Sequence, residues 1–238
     1  MSAFWAWTEA PVAVGELALS GEEGRHLGAR RLRPGSALVV FDGEGGVGTA
    51  QLIEANKRGA RVEVESVERF EAQTEGPVIA SAVPKGDRLS TMLQMLSQLG
   101  ARVWQPLVLE HSVVRTLDPE APRLRRILVE SAKLARRPWL LEVRAPLTLE
   151  ALLAAPRSGA AYHGDREGEA GALPPEASLV VIGPEAGFSE LEFRDLAAAD
   201  VRPAAFAPHN LRIETAAVAA AASAYAGRTG IRNEGSGT

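Results

Sequence analysis

The sequence predicts two parts in one chain, a region of short β-strands followed from about residue 77 by an α/β domain on a mostly parallel sheet. Three observations carry this. Short β-prone runs separated by glycine-rich turns fill the first 68 positions. Beyond Pro77, apolar strands alternate with amphipathic helices. In the last quarter two loops, Gly183-Pro184-Glu185-Ala186-Gly187-Phe188-Ser189 and His209-Asn210-Leu211-Arg212-Ile213-Glu214-Thr215-Ala216, each lie between an apolar strand and a helix.

Taken in order, Ala37 to Phe41, Gly48 to Ile53 and Arg61 to Val67 alternate or are β-branched. Between them Asp42-Gly43-Glu44-Gly45-Gly46 and Asn56-Lys57-Arg58-Gly59 are turn sequences. Turn-rich strands this short suggest a small barrel over residues 1–68. The polar stretch between Phe70 and Gly76 reads as a linker to a second domain, 77–238. Val78 to Val83 is a strand. Asp87 then caps a helix with Leu89, Met92, Leu93, Leu96 and Leu99 on one face and Gly100 beyond its end. Val103 to Leu109 is the next strand. A helix near Pro122 to Arg137 puts Leu124, Ile127, Leu128, Ser131 and Ala135 on one side and stops before Pro138, whose ring disfavours helical backbone at the preceding residue. Ala160 to His163, Leu179 to Ile182 and Val201 to Phe206 supply further strands, and Ser189 with Glu192 three residues on is a capping box. Ala216 to Gly227 reads as a closing helix, and Arg228 to Thr238 as a mobile tail.

Composition narrows the classes. With 46 % apolar residues in 238, the chain can bury a sizeable core. No apolar run approaches the roughly 20 residues of a membrane span, and the N-terminus lacks a basic stretch followed by an apolar signal core. A cytoplasmic protein is therefore expected. Zero cysteines exclude disulfides and thiolate metal sites, and four scattered histidines offer no ligand spacing, so no metal is expected. The net charge of −4 argues against non-specific coating of nucleic acid. The cations are nonetheless clustered, in Arg25, His26, Arg30, Arg31 and Arg33, and again in Arg123, Arg125, Arg126, Lys133, Arg136 and Arg137. They are 23 arginines against 3 lysines, and arginine suits bidentate phosphate contact and base stacking. Solvated charged faces are the alternative for either cluster.

Open α/β sheets bind ligands at the carboxyl ends of their strands, where His163-Gly164, Gly183 to Gly187 and Pro208 to Ile213 all fall. Gly183 and Gly187 permit a tight turn and close backbone approach to a ligand beside the amides of a helix N-terminus. The second loop sets a cation, an anion and a hydroxyl within four residues, Arg212 to Thr215. Neither a G-x-G-x-x-G fingerprint nor a G-x-x-x-x-G-K-[ST] loop is present, which weakens a nucleotide-binding reading.

The two loops in this order, with Pro84-Lys85-Gly86-Asp87-Arg88, Gln94 to Gly100, Glu110-His111-Ser112-Val113-Val114 and Gly24-Arg25-His26-Leu27 to Pro34-Gly35, resemble the ribosomal RNA (uracil-N3)-methyltransferases of the SPOUT superfamily. The chain departs from that family at Ala186, where glycine is usual, and at Ile213, where threonine is usual, as well as at Met95, Gln98 and Leu134. The resemblance implies a trefoil knot in the C-terminal domain and a PUA-like RNA-binding barrel at the N-terminus. It also implies S-adenosylmethionine as cofactor, small-subunit ribosomal RNA in an assembled 30S particle as substrate, and a homodimer. An interface through the small residues Ala216 to Ala226 would follow, the alternative being packing of that helix inside its own chain.

Within the resemblance, Ile182, Leu211 and Ile213 supply an apolar slot for adenine. The backbone of Gly183, Gly187 and Leu211 meets the adenine edge and ribose, with Glu185 or His163 as polar neighbours. Uracil N3 carries a proton at neutral pH, so methylation there calls for a carboxylate base, Glu185 or Glu214, and a cation, Arg212, beside the developing oxyanion. Glu214 can equally cap the last helix, and Arg212 can equally make a loop-shaping salt bridge. Arg25, Arg30 and Arg31 are the candidate RNA contacts. A non-catalytic RNA-binding or ribosome-assembly module is the competing function, and cofactor binding separates the two.

Overall fold

Strand pairing accounts for the turns of the N-terminal sequence. The computed structural model describes residues 4–72 and 76–229. Strands β1 (Phe4–Trp7), β2 (Gly15–Leu19), β3 (Ala37–Phe41), β4 (Gly46–Asn56) and β5 (Gly59–Arg69) form a sheet in the order β1-β3-β4-β5-β2. Only β1 with β3 is parallel. The turn from Asp42 to Gly46 is held by the buried Asp42 carboxylate, whose Oδ1 accepts from the Glu44 and Gly46 amides at 2.8 Å and whose Oδ2 accepts from Arg69 at 3.1 Å. Both oxygens are satisfied, which makes the burial tolerable.

Helix α1 (Gly21–Ala29) interrupts the region read as wholly β. Ser20 caps it by accepting the Glu23 amide at 3.3 Å, but Gly21, Gly24 and Gly28 lower its helix propensity and hid it in the sequence. Leu27 on this helix packs with Ala6, Val40, Val62 and Val64 in a core from which water is excluded.

The second sheet is parallel throughout. Its elements are β6 (Val78–Ala82), α2 (Asp87–Gln98), β7 (Val103–Val108), α3 (Pro122–Ala135), β8 (Glu142–Val143), β9 (Leu147–Thr148), α4 (Leu149–Ala154), β10 (Ala160–Ala170), β11 (Ala177–Ile182), α5 (Glu190–Ala198), β12 (Val201–Ala205) and α6 (Ile213–Thr229). The strand order is β12-β10-β11-β6-β7-β8, with β9 also on β7. Ile79, Ala80, Val180 and Val181 are buried in the middle of the sheet, as expected of strands covered on both faces.

By contact the chain divides into Met1–Gln73 with Leu128–Leu140, and Thr74–Ile127 with Leu141–Thr238. The second half of α3 thus groups with the N-terminal strands, where the sequence places one boundary between 68 and 77. Asp87 opens α2 but does not cap it: Gly86 is the cap residue, and Asp87 pairs with Arg123 at 2.9 Å. Helix α6 starts at Ile213, three residues before the alanine run. Its Ala217, Ala220, Ala221 and Ala224 are buried within the chain, with α6 packed on α2 and on the β6 and β11 strands. The placement of Ala220 and Ala221 at a dimer interface is therefore corrected in favour of internal packing: their small side chains let helix and sheet approach closely. Arg228 is anchored, donating to the carbonyls of Pro175 and Ala177, and the tail expected to be mobile otherwise lies, beyond Thr229, outside the described residues.

One charge cluster stands out in the N-terminal unit, with Lys133 and Glu23 buried at its centre. The Lys133 ammonium donates to Glu23 at 2.7 Å, Glu130 at 2.9 Å and His26 Nδ1 at 3.2 Å, and lies 5.5 Å from the centre of the Phe4 ring. Glu23, His26 and Glu130 have the spacing of a metal-ligand group, and the lysine charge contacts all three. Burial pushes the Glu23 carboxyl above its usual range, and Lys133 opposes that shift. Lys133→Met should lower the stability of this unit by roughly 3 kcal/mol, since the buried Glu23 charge is then deprived of its close counter-ion. Urea unfolding followed by tryptophan fluorescence measures this; a loss under about 1 kcal/mol would put the pair among ordinary surface bridges.

Candidate cofactor cleft

Because β10, β11 and β12 run the same way, their carboxyl ends fall on one edge of the sheet. The register places His163 opposite Val181 on one side and Pro203 on the other. A cleft of about 410 Å³ opens at that edge, within the range of small-ligand sites. It is lined by Gly164 to Glu167, Ile182 to Phe188, Phe193, Ala204, Phe206, Ala207, His209 to Leu211 and Ala216.

The glycine loop leads from β11 into α5. Gly187 has φ +80°, a conformation that favours glycine, and a Cβ on Gly183 would stand 3.1 Å from the Phe188 ring. Ala186 is not among the residues with positive φ, so alanine fits there without strain. The capping box is present: Ser189 Oγ accepts the Glu192 amide, and Glu192 Oε2 accepts the Ser189 amide at 2.8 Å. The other Glu192 oxygen accepts the Glu110 amide at 2.8 Å, which ties the loop after β7 to the same turn. His111 of that loop shares a 3.1 Å hydrogen bond with the Gly187 carbonyl.

Of the residues expected here, Ile182, Gly183, Glu185, Gly187 and Leu211 line the cleft. His163 and Ile213 do not. Both are buried, His163 against the Phe188 and Phe193 rings at 5.8 and 5.9 Å and Ile213 in the first turn of α6. Desolvation lowers the His163 imidazole below its ordinary value, and its Nδ1 is buried with no side-chain partner among the described residues, so it supports the cleft as a packed ring. Arg212 is exposed and outside the cleft, its carbonyl accepting the Ala216 amide at 2.8 Å. Glu214 also stays off the cleft wall. It lies 3.9 Å from Arg88, which pairs at 2.9 Å with Glu185.

Several lining residues carry no sequence signal. Asp165, Arg166 and Glu167 belong to a strand expected to stop at His163. The β10–β12 ladder breaks between Gly164 and Glu169, and the intervening residues turn into the cleft. Phe188, Phe193 and Phe206 are too far apart in sequence to signal a common wall. Arg88 lies inside a noted motif, but its pairing with a residue 97 positions away is not visible along the chain.

In the N-terminal unit, Arg25, Arg30 and Arg31 are exposed on and just after α1, and among the described residues none makes an ion pair. Arg31 has φ +57° and closes α1, with its amide on the Gly28 carbonyl and that of Leu32 on Leu27. Glycine is the easiest residue at such a helix end, so backbone preference does not explain the arginine.

Comparison with known proteins agrees with the geometry. Residues 19–65 match the RNA methyltransferase PUA domain. The ribosomal RNA small subunit methyltransferase E of Synechocystis sp. is 30% identical over 207 residues, covering 81% of this chain and 66% of that protein. The Bacillus subtilis protein of the same name is 28% identical over 219 residues, 83% of this chain and 85% of its own. The crystal structure of the Neisseria gonorrhoeae methyltransferase E, bound to S-adenosyl methionine, has a TM-score of 0.81 at 25% identity and covers 93% of this chain and 96% of that one. The α/β unit that carries the cleft falls almost wholly within residues 74–225, which match the RNA methyltransferase domain, and the chain belongs to that family.

Proposed function

We propose that the chain is an S-adenosylmethionine-dependent methyltransferase that modifies N3 of a uridine in small-subunit ribosomal RNA, in the cytoplasm and on the assembled 30S particle. The observation that carries this reading is the cleft at the edge where three parallel strands end, with both loop motifs in its wall. Its volume and mixed lining fit the cofactor. Ile182, Phe206 and Leu211 offer apolar surface for a purine, and the turn at Gly183 to Gly187 offers backbone groups to its edge and to the ribose. When bound, S-adenosylmethionine supplies an activated methyl on a sulfonium. What remains for the protein is to orient the acceptor, to exclude water and to take the N3 proton. The carboxylates of Glu185 and Glu214 are the candidates for that proton, and Arg212 offers an exposed cation to the RNA.

The exposed arginines Arg25, Arg30 and Arg31 would hold RNA through phosphates. A homodimer is part of the proposal, with outward-facing groups of α2 and α6 as its surface. Met95 is 46 % and Tyr225 59 % exposed, on two helices that pack together.

Three measurements test the reading. Gly183→Val should abolish binding of S-adenosylmethionine in calorimetry while the chain stays folded, because a branched side chain there meets the Phe188 ring and narrows the cleft. Unchanged affinity would remove the site assignment, and wild-type protein that binds RNA but no cofactor would instead be a binding module. Replacement of Arg25, Arg30 and Arg31 by alanine should weaken RNA binding and reduce the salt slope by about one for each phosphate left without its arginine, with cofactor affinity unaltered. Tyr225→Arg should turn dimers into monomers in light scattering; a variant that remains dimeric excludes this face.

A further inference from the structure

The charged groups beside the cleft converge on one guanidinium. Arg88, in the first turn of α2, donates from Nη1 to Glu185 Oε1 at 2.9 Å and has Glu214 Oε2 at 3.9 Å from the same nitrogen. Its Nε reaches the Lys85 carbonyl at 3.4 Å. Three chain segments, the start of α2, the glycine loop and the start of α6, are thereby joined. The two carboxylates have different settings. Glu185 lines the cleft with its side chain 42 % exposed, and its Oε2 makes no hydrogen bond among the described residues. Glu214 is 13 % exposed, lies off the cleft wall, and its Oε2 is buried without a hydrogen bond among the described residues.

Resting on the methyltransferase reading, we propose that Glu185 accepts the uracil N3 proton, that Arg88 is the positioning residue that pins it through one oxygen, and that Glu214 is the fixed counter-charge that holds Arg88 in place. A base must come within hydrogen-bond reach of the proton that it takes, and only Glu185 of the two presents a free oxygen to the cleft. The proton passes from N3 to Glu185 Oε2, which becomes a carboxylic acid and later releases it to water. The electron pair of the N–H bond stays on N3 for bond formation. Arg88 faces both carboxylates and binds Glu185 through a single oxygen, which leaves the other oxygen for the proton. Arg212, exposed and outside the cleft, has no part in the proton step.

The test is methyl transfer to small ribosomal subunits that lack the modification, measured across pH for four variants. Glu185→Gln should lose about a hundredfold or more in rate and flatten the pH dependence, as expected when a proton acceptor is removed. Glu214→Gln should lose less than about tenfold and keep the dependence. Arg88→Gln should lower the rate, since Glu185 is no longer held at the cleft, and Arg88→Lys should recover part of that loss. Two readouts do not need activity. Calorimetric affinity of Arg88→Gln for S-adenosylmethionine should stay within about threefold of wild type. Arg88→Gln and Glu185→Gln should be non-additive in thermal unfolding, as groups in contact are. Additive unfolding effects, or a pH dependence lost in Glu214→Gln but kept in Glu185→Gln, would overturn the proposal. Wild-type protein that binds no S-adenosylmethionine would remove the reading beneath it, while the unfolding cycle still tests the bridge.

Discussion

The parallel ladder from β12 through β10 and β11 to β6 is the constraint on which the candidate site depends. Parallel strands end on the same edge, so a loop that leaves any one of them enters the space shared by the others. The pairing of Val181 with His163 on one side and Ala80 on the other sets the depth at which the glycine loop begins. From that start the loop has little freedom. Gly187 turns it through a positive φ, and the capping box fixes where α5 begins. Glu192 then extends the constraint to a second loop by accepting the Glu110 amide, so one buried carboxylate ties two loops together.

Burial sorts the polar groups of this unit into supports and working groups. His163 packs against the Phe188 and Phe193 rings, which line the cleft, and desolvation lowers its imidazole below the ordinary value, as suits a packing element. Ile213, buried in the first turn of α6, acts by packing. Of the charged groups that line or adjoin the cleft, Glu185, Arg88 and the Asp165 to Glu167 insert stay accessible. The N-terminal unit has the opposite arrangement: its innermost charges are consumed in the Lys133 cluster, and the arginines of α1 remain at the surface.

Much of this was legible along the chain. Strands β3, β6, β7, β11 and β12 follow from apolar or alternating runs, and α2, α3 and the start of α5 from helical spacing and end signals. The cleft residues Ile182, Gly183, Glu185, Gly187 and Leu211 were readable because motif and strand end coincide. Helix α1 was not, since its glycines mask a helix that Ser20 and tertiary packing support. The position of α6 against α2 and the sheet was not either: a run of alanines is equally suited to an interface within a chain and to one between chains.

Local preferences follow from the chain alone: which segments are strands or helices, where the turns bend, and which loops stand at strand ends. Those depend on neighbours a few residues apart, where propensity and periodicity act. Which charges meet and which stay apart depends on how the elements pack. Arg88 and Glu185 are 97 positions apart, and nothing along the chain distinguishes Glu214 at that pair from Arg212 outside the cleft two residues before it. On a helix or a tight loop a step of two residues turns a side chain to another side. Whether that side faces a ligand, a counter-ion or water is set by the elements packed around it.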